Sequence, residues 1–112
     1  MKIKITKNTV DESVIIIMDE KKNVVMCNDQ VVNYDVDRFI FKVSNMVKGW
    51  PTELKDLSVL DGLKYEIIIK DKHNNGKEEV KSYLFQNKFP EDIYRVERLI
   101  SEISNTLKVE NN

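Results

Sequence analysis

The segment Ile15-Ile16-Ile17-Met18-Asp19 decides the fold of this chain, because a similar segment, Ile67-Ile68-Ile69-Lys70-Asp71, appears later in the sequence. Each segment is followed by a polar turn, a second apolar strand and an amphipathic helix. The apolar positions of the two helices align at one constant offset. A strand-turn-strand-helix unit that is used twice predicts a small α+β domain with an internal ββα pseudo-repeat.

The composition is that of an ordinary globular domain of 112 residues, 41% hydrophobic and 33% charged, with a formal net charge of −1. Charges of both signs are spread evenly along the chain, which disfavours nucleic acid and anionic membranes as partners. The single cysteine excludes an internal disulfide and fits a reducing compartment. Apolar runs are too short for a signal peptide or a membrane span, so we expect a cytoplasmic protein. The lack of alanine, with abundant Lys, Asn and Ile, is typical of an A/T-rich bacterial or mobile-element genome.

Two kinds of apolar periodicity predict five strands and two helices. The predicted strands cover residues 2–6, 13–19, 24–28, 65–71 and 79–85. Asp35 is the expected N-cap of the first helix, which Gly49 and Pro51 terminate, and Pro90 is the expected first residue of the second helix.

These elements define the predicted architecture. We expect one α+β domain over residues 1–108, in the order β-ββα-ββα, followed by a frayed tail over 109–112. The sheet is expected to be mainly antiparallel, with four to five strands and both long helices packed on one face.

The strands carry more apolar residues than two helices can cover. In the second hairpin we expect five residues to share one face, namely Tyr65, Ile67, Ile69, Val80 and Leu84. The other face would then carry Ile68, Tyr83 and Phe85. This second face needs a cover, which is either the connector over residues 52–63, a second copy or a partner protein. The connector has leucines three residues apart, typical of a short helical turn pinned to the core.

Residue types that support catalysis are sparse and scattered. Cys27 lies within a strand and His73 in a hairpin tip, so we expect no nucleophile-base pair. Asp71 to Gly76 only partly mimics a calcium loop, and glycine-rich phosphate motifs are absent from the sequence. Asp19 and Asp71 occupy equivalent strand ends, where carboxylates commonly solvate turns. We therefore predict no catalytic residue, no metal site and no cofactor.

The order of elements and the Phe89-Pro90 corner are loosely similar to small proteinaceous peptidase inhibitors of the emfourin kind, over about half of the chain. The Gly-Gly pair expected after the first strand of that family is replaced here by Lys7-Asn8-Thr9. The resemblance implies an inhibitor that acts by protein-protein contact. No functional residue of that family is assigned to a position of this chain.

The sequence favours a non-enzymatic protein-binding module of the inhibitor, immunity or adaptor type. We expect a protein partner or a homodimer that buries the face with Ile68, Tyr83 and Phe85, and neither nucleic acid nor a membrane. The alternative is a small enzyme or small-molecule-binding domain with a pocket between the connector 52–63 and the sheet. Asp19, Asp71 and Tyr83 are its candidate lining residues.

Overall fold

The segment Lys2–Asn8, which begins with alternating lysine and isoleucine, forms the middle strand of a seven-stranded mixed sheet. The structure is a computed structural model that describes residues 1–59 and 62–110. Its elements, in chain order, are β1 (Lys2–Asn8), β2 (Ser13–Asp19), β3 (Val24–Cys27), β4 (Gln30–Val32), α1 (Val36–Met46), β5 (Glu53–Lys55), β6 (Lys64–Lys72), β7 (Glu78–Gln86) and α2 (Tyr94–Glu110).

The strand order is β4-β3-β2-β1-β6-β7-β5. All neighbouring strands are antiparallel except β5, which runs parallel to β7. The single α+β domain is confirmed, but the prediction of four to five strands is wrong. The two missed strands, β4 and β5, are three residues long. Segments this short show no readable periodicity, and only pairing at the edges of the sheet makes them strands.

One face of the sheet, which we call the helix face, packs against both helices in a single hydrophobic core. The register places its fully or almost fully buried side chains in line across the strands, and they are Ile3, Ile5, Ile16, Met18, Val25, Cys27, Val32, Tyr65, Ile67, Tyr83 and Phe85. The helices contribute the predicted apolar stripes, with Phe39 and Val43 of α1 and Val96 and Ile103 of α2 at 0% exposure. We call the opposite side of the sheet the open face.

The start of α1 is as predicted, whereas the start of α2 is not. The Asp35 carboxylate accepts hydrogen bonds from the backbone N–H groups of Asp37 at 2.8 Å and Arg38 at 3.3 Å, which makes it the N-cap of α1. The second helix begins at Tyr94 and not at Pro90. The residues between them form turns with hydrogen bonds that span three residues, not the four of an α-helix, among them the bond from Ile93 N–H to the Pro90 carbonyl at 3.1 Å.

The C-terminal helix continues to Glu110, into the region predicted as a frayed tail. Residues 111 and 112 of that tail lie outside the described residues. The domain limits 1–108 and 109–112 therefore stay predictions.

The two ββα units do not repeat one another in space. Strands β2 and β6 pair antiparallel with opposite edges of β1, so they run in the same direction, and their hairpins extend away from β1 on opposite sides. Because both helices cover the same face, the units have opposite handedness and no rotation superimposes them. Accordingly, Ile15 lies on the open face, whereas its sequence counterpart Ile67 is buried on the helix face. The pseudo-repeat is a similarity of pattern and is wrong as a structural repeat.

Candidate functional site

The open face carries a row of side chains that crosses the sheet in register. The row consists of Val31, Met26, Ile17, Lys4 and Ile68, contributed in turn by β4, β3, β2, β1 and β6. Only Lys4 interrupts its apolar character. Side chains alternate between the two faces of a strand, so the residues that flank each member of this row point into the core instead.

Further apolar side chains extend this surface. On β2 and β7, Ile15 and Leu84 lie in the next row along the strands, separated by Thr6 and Glu66. Val80 of β7 also lies on the open face and is 53% exposed. Together these residues form an apolar surface, interrupted by polar side chains, that reaches from the edge strand β4 to β7. The other edge strand, β5, places Glu53 and Lys55 on this face.

The described part of the connector, residues 52–59 and 62–63, does not cover this surface, contrary to one of the three expectations. Leu54 lies in β5 opposite Phe85, so it faces the core, and Leu63 also packs against the core. Leu57 is 79% exposed, and Leu60 lies outside the described residues. The predicted helical turn is wrong as well, because residues 53–55 form a strand that extends the sheet sideways. Among the leucines that the structure describes in the connector, none covers the open face.

A groove of about 270 Å³ lies at the centre of the open face. Ile17 and Ile68 form its apolar walls, and the side chains of Lys2, Lys4 and Lys70 line it. The Lys2 ammonium is 3.7 Å from the Asp19 carboxylate. Within the described residues, Lys4 and Lys70 form no ion pair. The groove therefore combines apolar walls with two ammonium groups, those of Lys4 and Lys70, that no described carboxylate pairs with.

Asp19 is buried at the end of β2, where it stabilises the following turn. Its Oδ1 accepts a hydrogen bond from the backbone N–H of Lys22 at 3.3 Å. Desolvation alone would raise the pKa of this carboxyl, but the hydrogen bond from Lys22 and the nearby Lys2 ammonium outweigh it and lower the pKa below its ordinary value. This arrangement fits a carboxylate that serves the turn.

A second depression, a cleft of about 460 Å³, lies on the helix face where the helix layer ends. Asp71, Lys81 and Tyr83 of the β6–β7 hairpin meet Lys48 and Trp50 from the end of α1 and its C-terminal turn there. The structure thus brings two of the three candidate pocket residues, Asp71 and Tyr83, into one cleft. That cleft lies at the end of α1 and not beside the connector.

The third candidate residue does not belong to this cleft. Asp19 pairs with Lys2 of β1 on the open face, whereas Asp71 follows the register of the helix face. The two aspartates therefore lie on opposite sides of the sheet and share no site.

The three predicted interface residues do not share a face. Ile68 lies on the open face, but Tyr83 and Phe85 lie in register with Ile67 and Tyr65 on the helix face, where they are buried. For Ile68, Tyr83 and Phe85 to share one face, the loop between β6 and β7 would need an even number of residues. The loop that is formed, His73 to Lys77, has an odd number, because Lys72 pairs with Glu78. A one-residue change of register moves every side chain of a strand to the other face.

The two candidates for thiol and imidazole chemistry are far apart in the fold. Cys27 is buried in the core, while the His73 ring lies at the hairpin tip, 3.0 Å from the Glu79 carboxylate. Within the part of the chain that the structure describes, no cluster of His, Cys, Asp and Glu could hold a metal ion.

Comparisons with protein-family models, curated proteins and solved structures find no match. Over residues 1–59 and 62–110, no helix is both long and apolar enough to cross a membrane.

Sequence reasoning missed most of the open-face residues, above all Lys4, Ile17 and Leu84. One signal could have found Lys4. The strict alternation Lys2-Ile3-Lys4-Ile5 places both lysines on the side of β1 that faces away from the core. No comparable signal marks Ile17, because both faces of β2 are apolar.

Proposed function

We propose that this protein is a non-enzymatic binding module that contacts a protein partner through the open face of its sheet. The observation that carries the proposal is the apolar row from Val31 to Ile68, which the described part of the chain leaves uncovered. Monomeric proteins seldom expose contiguous apolar patches of more than a few hundred Å², and larger ones commonly mark interaction sites. An inhibitor, immunity or adaptor protein of a bacterial or mobile-element cytoplasm would use such a surface.

The size of the open face suits a specific interface. The five central strands lie about 4.8 Å apart and rise about 3.3 Å per residue, so they span roughly 500 to 600 Å² in projection. Protruding side chains add accessible area to this value. A standard protein-protein interface buries about 800 Å² per partner. The open face is therefore large enough for a stable complex, with either another protein or a second copy of the chain.

Affinity capture with two matched variants tests the proposal. Ile68→Lys places a charge in the apolar row, whereas Phe41→Lys changes an α1 side chain that is 69% exposed. We expect wild type and Phe41→Lys to recover a stoichiometric protein from an extract of the source organism, and Ile68→Lys to lose it. Circular dichroism verifies that both variants are folded. A partner that is retained by Ile68→Lys, or the absence of any partner with wild type, would contradict the proposal.

The cleft at the end of α1 supports a second candidate, a small-molecule-binding domain. Its volume of about 460 Å³ falls within the range of ligand pockets, and three residues with polar side chains, Asp71, Lys81 and Tyr83, line it. A ligand of this cleft should raise the melting temperature of wild type, and Tyr83→Phe should weaken the effect. A ligand whose binding is unaffected by Tyr83→Phe would argue against this candidate.

A further inference from the structure

The chemistry of the central groove restricts what can cover the open face. Lys4 stands in the middle of the apolar row, between Ile17 and Ile68, and forms no ion pair with a described residue. Any surface that buries the two isoleucines also removes the Lys4 ammonium from water. Burial of an unpaired charge is costly, whereas a carboxylate placed against it compensates for the lost hydration.

The lysines that flank Lys4 strengthen this requirement. Lys2 and Lys70 line the same groove. Among the described residues, the ion-pair partner of Lys2 is the Asp19 carboxylate, 3.7 Å away. Complementary charge at an interface adds to specificity and to the rate of association, while like charges in contact are unfavourable. A suitable partner therefore presents acidic side chains surrounded by apolar ones.

A second copy of the chain does not meet this requirement. Strand β1 is the fourth of the seven strands, so a two-fold face-to-face dimer centred on the open face brings β1 close to β1 of its mate. Lys2 and Lys4 would then approach their own counterparts. The homodimer predicted from the sequence thus places like charges at its centre.

Two other classes of macromolecule fit the open face less well. Single-stranded nucleic acid is usually held by stacking on aromatic rings, and no aromatic side chain of the described residues follows the open-face register of the strands. Anionic membranes attract clusters of basic residues, but Asp19 and Glu66 are interspersed with the lysines here.

From these observations we infer that the open face binds a protein surface in which carboxylate side chains lie within an apolar patch, with the carboxylates seated on Lys2, Lys4 and Lys70. This inference rests on the proposed function and specifies the chemistry of its partner. Ile17 and Ile68 supply the apolar contact, and Lys4 supplies the charge selectivity.

A pair of synthetic peptides tests the charge selectivity. Both peptides carry the same leucine and valine residues at alternate positions, with aspartate at the remaining positions of one and lysine at those of the other. Amide shifts of the isotope-labelled protein report binding. We expect the aspartate peptide to perturb β1 and β6 and to bind about tenfold or more tightly than the lysine peptide, the factor expected for one favourable charge contact of about 1.4 kcal/mol.

Variants of Lys4 provide the sharper readout. Lys4→Gln should reduce the preference, and Lys4→Glu should reduce it further, because Lys2 and Lys70 remain in the groove. Lys77→Glu is the matched control, because Lys77 is exposed in the loop between β6 and β7, away from the groove, and forms no ion pair with a described residue. A preference that is absent in wild type, or that is unchanged in Lys4→Glu, overturns the inference.

Further outcomes identify a different occupant. If wild type sediments as a dimer at about 100 μM and Ile68→Lys sediments as a monomer, the occupant of the open face is a second copy of the chain. If wild type binds phosphatidylserine vesicles and Lys4→Gln does not, the occupant of the open face is a membrane. Either result overturns the inference. A captured partner that is lost with Ile68→Lys but retained with Lys4→Glu would leave the proposed function standing and refute only the acidic partner.

Discussion

The register of the β6–β7 hairpin makes a quantitative prediction about two adjacent residues. Phe85 faces the core at 0% exposure, and its ring lies 5.5 Å from that of Trp50 at an interplanar angle of 81°. Leu84 lies on the open face and is only partly buried. Replacement of each residue by alanine therefore removes very different amounts of packing, although the two positions are neighbours in the sequence.

The expected costs follow from this difference in burial. Phe85→Ala leaves a cavity and removes an edge-to-face ring contact, which together should lower the free energy of unfolding by about 3 to 5 kcal/mol. Leu84→Ala removes a side chain that is already partly hydrated and should cost about 1 kcal/mol. A domain of this size has a total stability of about 5 to 15 kcal/mol, so both variants should fold at low temperature.

Urea denaturation, followed by far-ultraviolet circular dichroism and Trp50 fluorescence, measures both variants. With a slope near 1.3 kcal/mol per molar urea, the midpoint should fall by about 2 to 4 M for Phe85→Ala and by less than about 1 M for Leu84→Ala. A larger loss for Leu84→Ala than for Phe85→Ala would refute the register. A charged residue at position 85 should unfold the protein, because Phe85 is fully buried in the core.

Other local features lead to three more expectations. The hydrogen bond from Lys42 at 2.8 Å lowers the pKa of Glu102 below its ordinary value of 4.5, although desolvation opposes the shift. This stabilisation is present above pH 4.5 and is lost as the pH falls through the lowered pKa, so Glu102→Gln should lose less stability than wild type in acid denaturation. Burial raises the pKa of the Cys27 thiol, and a thiol reagent should react with it only after the addition of denaturant. Gly62→Ala places a methyl group against the Asn87 amide and should reduce the melting temperature, at a cost of about 1 to 3 kcal/mol.

Much of the local structure could be predicted because its causes are local. The limits of β2, Ser13–Asp19, follow from its β-branched run, and Asp35 caps α1 because a short acidic side chain reaches the free backbone N–H groups of the first turn. The apolar stripes of both helices identified the core for the same reason, since helical periodicity alone brings those side chains to one face.

The candidate site depended on information that no single segment contains. Of the three candidate pocket residues, Asp71 and Tyr83 line one cleft, away from the connector where the pocket was predicted, and Asp19 lies on the opposite side of the sheet. Tyr83 and Phe85 were assigned to the wrong face, because the number of loop residues that close a hairpin depends on its pairing and not on the turn sequence alone.

The sequence by itself determined the class of the domain, its two amphipathic helices and the two apolar hairpins. The tertiary structure decided which face of each hairpin is buried and that residues 53–55 join the edge of the sheet. It also decided that Lys4 stands between Ile17 and Ile68 on a surface that residues 1–59 and 62–110 leave uncovered. The physical reason lies in the range of the interactions. Periodicity and capping act within one or two turns of chain, whereas strand order and register are set by hydrogen bonds between residues that are distant in sequence, and β1 at the centre of the sheet joins two units of opposite hand.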